Sequence, residues 1–105
     1  MQQGQTAREQ FEEEIIAQVL CAYIVVHLNG VPETLKLRQG YTEEEYQEFL
    51  SKLEFYRGNA EDGFNYISGT VWISETEWYE RAEALYGDYW VHCYAPQIPL
   101  GLINQ

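Results

Sequence analysis

The stretch 69-GTVWISETEWYERAEALYGDYW-90 decides the fold, because it divides in two ways. As a helix, Ser74 and Glu77 cap a segment with Trp78, Ala82 and Leu85 on one face and Gly87 as its stop. As strands, Trp78, Glu80 and Ala82 alternate with Tyr79, Arg81 and Glu83, turns fall at 75-ETE-77 and 85-LYGD-88, and 89-YWVHCYA-95 is a last strand. The stretch also holds three tryptophans, three tyrosines and five acids beside the single arginine Arg81. That mixture serves packing, catalysis, or the grip on a basic partner.

Upstream, 64-FNYISGTVWIS-74 reads as a strand interrupted by Gly69, a bulge or bend, and Gly58-Asn59 and 61-EDG-63 are turn chemistry. Before them comes a helix. Thr42 and Glu45 make a capping box, Tyr41 staples onto Tyr46, and Tyr46, Phe49, Leu50 and Leu53 form one apolar face, leaving Glu43, Glu44, Gln47 and Ser51 outward. Further upstream, 23-YIVVHL-28 and 34-TLKLR-38 flank Asn29-Gly30, a type I′ hairpin signal, with Pro32 placing the second strand near an edge. Thr6 and Glu9 cap a first helix whose apolar stripe runs through Phe11, Ile15, Val19 and Tyr23, widened by Ile16 and Leu20, with the pattern changing near Cys21. Residues 1–5 and 100–105 read as frayed ends of one domain.

The tail favours the strand reading of residues 75–86. The sequence G-T-V-W at 69–72, Trp78 with Glu80-Arg81 and Glu83, Tyr89-Trp90, and Pro96-x-Ile98-Pro99 resembles a group of small bacteriophage and prophage proteins. In that group a W-x-E-R-x-E strand, an acidic Gly turn, a W-W strand and a P-x-I-P tail follow one another, and 40-GYTEEEYQEFL-50 is similar to the helix that precedes them. The resemblance spans roughly residues 40–99 and departs where Ala84 and Leu85 replace a more turn-like pair. It implies a phage source and a hairpin-built fold, and it brings no catalytic motif.

Six Lys plus Arg stand against 17 Asp plus Glu, a net charge of −11. Such a surface repels nucleic acid and anionic lipid and attracts basic proteins. The negative charge is concentrated in blocks: residues 1–14 carry −3, 43–62 carry −5, 75–88 carry −4, and the rest carry +1. The longest apolar run, 15–28, is too short to span a membrane and follows three glutamates where a signal peptide would carry positive charge. Cys21 and Cys93 suit a reducing cytoplasm, here that of a bacterial host.

Phosphate loops, dinucleotide fingerprints, nucleophile elbows and zinc-protease motifs are absent from the sequence. Carboxylate pairs such as Glu80 with Asp88 are expected by chance among so many acids. Cys21, His27, His92 and Cys93 are metal-ligand types, but adjacent strand residues point to opposite faces, so neither a metal site nor a cofactor is expected. Without a basic groove the aromatics do not form a base-stacking platform. Trp72, Trp78 and Trp90 are expected in the core, and Tyr66, Tyr79, Tyr86 and Tyr89 as interface anchors.

The expected fold is α+β: two helices packed on one face of a twisted antiparallel β-sheet of hairpins, four to six strands wide. The expected function is non-enzymatic: a phage-encoded acidic protein that inhibits a host nucleic-acid-binding complex by phosphate mimicry, with a CRISPR effector ahead of restriction enzymes and RNA polymerase as the partner. The partner-binding residues are then Glu43, Glu44, Glu48, Glu61, Asp62, Glu75, Glu77, Glu80, Glu83 and Asp88, with Tyr79 and Tyr86 as aromatic contacts. The alternative is an accessory phage protein that self-associates, as a homodimer for instance, through sheet edges and aromatic surface, its acids only solubilising.

Overall fold

Trp78 to Ala82 alternate as a strand and not as a helix. The computed structural model describes residues 5–55, 66–83 and 87–95, and within them the chain runs α1 (Ala7–Glu14), β1 (Cys21–Leu28), β2 (Val31–Leu37), α2 (Glu43–Ser51), β3 (Tyr66–Trp72), β4 (Glu77–Ala82) and β5 (Tyr89–Tyr94). The turns expected at 58–59 and 61–63, and part of that at 85–88, lie outside the described residues. The five strands form one open antiparallel sheet in the order β2-β1-β3-β4-β5. With the two helices this is an α+β fold.

The β1–β2 hairpin closes with Leu28 opposite Val31, and both turn residues have positive φ, 54° at Asn29 and 81° at Gly30. Those angles define the type I′ turn that the Asn-Gly pair favours. Pro32 stands on the edge strand opposite His27, where its missing N–H costs the sheet little. Gly69 is not a bulge: the register runs through it without a skipped residue, opposite Ile24. Its φ of 128° and the closeness of β1 both require glycine, since a Cβ there would lie 2.6 Å from the Ile24 Cα and would also run into the Tyr23 carbonyl.

Strand alternation divides the sheet into two unlike faces. Ala22, Ile24, Val26, Leu35, Leu37, Ile67, Val71, Tyr79 and Trp90 line the covered face and form the core with helix residues Ala7, Phe11, Phe49 and Leu50. Phe11 joins the layers. Its ring meets Phe49 of α2 at 5.7 Å and Trp90 of β5 at 5.8 Å, both edge to face. Trp72 and Trp78 depart from expectation: they pair across β3 and β4 on the opposite face and are only half-buried.

The first helix is shorter than its apolar stripe. It ends at Glu14, and Ile15 already has extended backbone, φ −98° and ψ 92°. Glu12, Glu13 and Glu14 oppose the helix dipole at the C-terminal end, which carries no basic residue, and the β-branched Ile15-Ile16 pair follows. Ile15 and Val19 still reach the core, whereas Ile16 is 84% exposed and Leu20 donates its N–H to the Trp72 carbonyl at 2.7 Å, starting the β1 ladder. Tyr41 caps this segment with a hydroxyl bond to the Val19 carbonyl.

Phe11→Ala should therefore lower the unfolding free energy by about 3–5 kcal/mol. Ile16→Ala should change it by less than about 0.5 kcal/mol. Urea titration of both variants checks the pair, and equal losses would contradict the role given to Phe11.

Candidate functional site

The acids of α2 face solvent because Tyr46, Phe49 and Leu50 of the helix, with Leu53 just past its end, face the core. Thr42 and Glu45 complete the capping box in both directions, at 3.1 and 2.9 Å, and Tyr41 stacks on Tyr46 at 5.5 Å. Glu43, Glu44 and Glu45 occupy the first turn, where the helix dipole stabilises negative charge. Glu43, Glu44 and Glu48 are exposed, and neither Glu44 nor Glu48 has an ion-pair partner among the described residues. Glu43 accepts from Gln47 at 2.7 Å.

A second set of acids joins them from α1. Arg8 ties the helices together: its guanidinium reaches Glu54 at 3.0 Å, Gln47 at 3.2 Å and Glu12 of its own helix at 3.5 Å. The backbone adds bonds from Ala7 to the Phe55 carbonyl and from Arg8 to the Leu53 carbonyl, both 2.8 Å. Exposed Glu9, Glu12 and Glu13 thus lie in the same helical layer as Glu43, Glu44 and Glu48. Sequence reasoning found the charge of residues 1–14 but left these three out of the site. The signal was the Glu12-Glu13 pair outside the Phe11–Ile15 stripe. Among the described residues Arg8 and Lys52 are the cations of this layer, and Lys52 lies 3.8 Å from Glu33 of the edge strand.

The acids expected from the hairpins do not join that layer. Glu75 is exposed in the β3–β4 turn and Glu83 at the end of β4. Glu77 pairs with His92 at 3.0 Å, while Glu80, on the opposite face, accepts from the Trp78 indole at 2.8 Å. The alternation of a strand separates what the sequence lists together. Asp88 is 3% exposed and Tyr79 6%, so neither offers the contact expected of it. Tyr79 faces the core from β4, between β3 and β5, and stacks on His92 at 5.0 Å. Glu61, Asp62 and Tyr86 lie outside the described residues. Of the other tyrosines, Tyr66 is half-buried against the His27 ring at 4.1 Å, and Tyr89 is exposed.

Polar groups inside the fold serve assembly. Gln10, 1% exposed, accepts from Arg81 at 2.8 Å and donates to the Asp88 carbonyl at 2.9 Å. Glu14 accepts from the Trp90 N–H at 2.9 Å, and Arg81 lies over the Trp90 ring at 4.9 Å. These bonds fix α1 across β4 and β5.

Desolvation, then the charge of Glu80, pushes the Cys93 thiol up, which leaves it protonated and weakly nucleophilic at neutral pH. Cys21 and Cys93 are free and stand at opposite ends of one row across the sheet, with Trp72 and Trp78 between them. Among the described residues no three metal-ligating side chains come together, and no described helix is long and apolar enough to cross a membrane.

No protein-family model, curated protein or solved structure matches the chain. The acidic helical layer is the candidate site on its own geometry.

Packing two acidic helices side by side sets like charges against one another, and salt screens them. The melting temperature should rise as sodium chloride is raised from about 10 to 150 mM, where the screening length falls from about 30 to 8 Å. Glu44→Gln with Glu48→Gln should reduce that rise, as read by calorimetry at both salt concentrations.

Proposed function

We propose that the protein is a non-enzymatic, phage-encoded binding protein whose helical acidic layer enters the basic groove of a host nucleic-acid-binding complex in place of phosphates. The observation that carries this is the gathering of exposed glutamates from α1 and α2 on one side of the fold, with Arg8 and Lys52 already engaged. Glu44 and Glu48 are one helical turn apart, about 5–6 Å between Cβ atoms, and project from a rigid element. Carboxylates held in this way steer a basic partner over the Debye length and replace the counterions that phosphates would displace.

A CRISPR effector is the leading partner class, because its guide and target channel is strongly basic and binds a backbone rather than a base sequence. Restriction enzymes and RNA polymerase share that chemistry. Glu77, Glu80 and Glu83 are peripheral in this arrangement: Glu80 is on the face of the sheet turned away from the helices, Glu77 is on the covered face but is paired with His92 of β5, and Glu83 lies past the end of β4. The contact surface is thus Glu43, Glu44 and Glu48 with Glu9, Glu12 and Glu13.

Capture of the partner from host lysate by the tagged protein should fall steeply with salt and be competed by added DNA or RNA. Glu43→Lys, Glu44→Lys and Glu48→Lys together should weaken capture by about tenfold or more, while Glu77→Lys with Glu80→Lys should weaken it by less than about threefold. A partner retained equally by both sets, or at high salt, would sink this assignment.

A further inference from the structure

The face of the sheet turned away from the helices is self-complementary, and we propose that it is where a second copy of this chain docks, sheet against sheet. Both described helices pack on the covered face, through Phe11 against Trp90 and Phe49 within the cluster that holds Leu35 and Leu37. The opposite face carries Tyr23, 48% exposed, and Tyr89, 42% exposed, beside half-buried Trp72 and Trp78. Tyr94, 67% exposed, is on the covered face at the end of β5, so the adjoining aromatics of this face, Tyr23, Trp72 and Trp78, are what make it an interaction surface.

Charge indicates the occupant. Among the described strand residues of this face, the ionised side chains are Lys36 and Glu80. They lie in a single row across the sheet, in the order Lys36, Tyr23, Thr70, Glu80, Val91. Lys36 is on β2 and Glu80 on β4, the strands that flank the central β1–β3 pair on either side. A two-fold axis along the strands between β1 and β3 lays β2 of one copy over β4 of the other and keeps each row at its own height. Lys36 then faces Glu80 of the second copy, and the symmetry makes that ion pair twice.

The same operation matches size. Tyr23 falls opposite Thr70 in its row, and Trp72 falls opposite Cys21 in the next. In these two rows a large side chain meets a small one, as interdigitating sheets require, while at the end of the strands His27 meets Tyr66, ring against ring, with the strands of the two sheets crossing at about 30°. Lys36 already lies over the Tyr23 ring, 5.7 Å from its centroid, which holds the ammonium on this face.

Repulsion does not forbid the pairing although each chain carries −11. Sheets stack about 10 Å apart and each helical layer is about 10 Å thick, so the two acidic layers are separated by roughly 30 Å, beyond the 8 Å screening length at physiological salt. The assembly presents its acidic layers outward on both sides. It is independent of the phosphate-mimic reading, whose residues it leaves uncovered.

Sedimentation equilibrium of the purified protein, without any partner, tests the proposal. A concentration-dependent dimer is expected, and Tyr23→Glu should dissociate it by burying an acid opposite Thr70 in each half of the interface, the two acids diagonal to one another across the axis. Lys36→Glu and Glu80→Lys should each raise the dissociation constant at least tenfold. The double variant K36E with E80K should recover most of that loss, because the swapped charges meet again across the axis. Circular dichroism confirms that each variant is folded, and the two charge variants alter only surface side chains. A wild-type monomer at about 100 μM, where a specific sheet-to-sheet interface is occupied, would overturn the proposal. So would a dimer indifferent to Tyr23→Glu, or a double variant no better than either single one. The triple charge reversal on α2 should leave the dimer intact, so failure here and failure of partner capture are read separately.

Discussion

The fold depends on covering one face of a five-stranded sheet with helices of only 8 and 9 residues. Neither helix is long enough to form stably alone in water, so both exist because their apolar faces are buried. Phe11 makes that burial continuous, with one edge on Phe49 and another on Trp90. Gln10, one residue earlier, fixes the same helix to β4 and β5 by polar contacts that reach the Arg81 side chain and the Asp88 carbonyl. Apolar contact supplies the driving force, and the buried hydrogen bonds set where along the sheet the helix lies.

The proposed function rests on the same economy. Each helix turns its apolar stripe inward, so its glutamates other than Glu14 point to solvent, and Arg8 draws the two helices into a single acidic layer. The sheet, which the two helices cover on one side, keeps a second face where, among the described strand residues, Lys36 and Glu80 are the ionised side chains between aromatic and small ones. Among the described residues the helical side is strongly charged and this sheet face nearly neutral. The charged side suits a basic groove, and the neutral side suits another surface like itself.

Much of this was legible in residues near one another in the chain. Asn29-Gly30, Thr42 with Glu45, and Thr6 with Glu9 specify backbone geometry within a few residues, and each appears as expected. The stripe through Ile15 and Val19 misled about helix length because spacing reports burial, and an irregular segment laid on the core buries the same residues as a helix. Trp72 and Trp78 misled in the opposite sense. A tryptophan on a strand shows that a face is apolar, not which face the helices will cover.

By itself the sequence determined the α+β class, the hairpin turn, both caps, the edge position of Pro32 and the excess of negative charge, because each rests on local stereochemistry or on composition. Only the tertiary structure decided which acids stand together. Glu43, Glu44 and Glu48 joined those of α1 through the contacts of Arg8, whereas Glu77 and Glu80 parted to opposite faces and Asp88 and Tyr79 went inside. The reason is physical: residues adjacent on a strand diverge by half a turn, and residues distant in the chain meet only when a shared core draws their elements together.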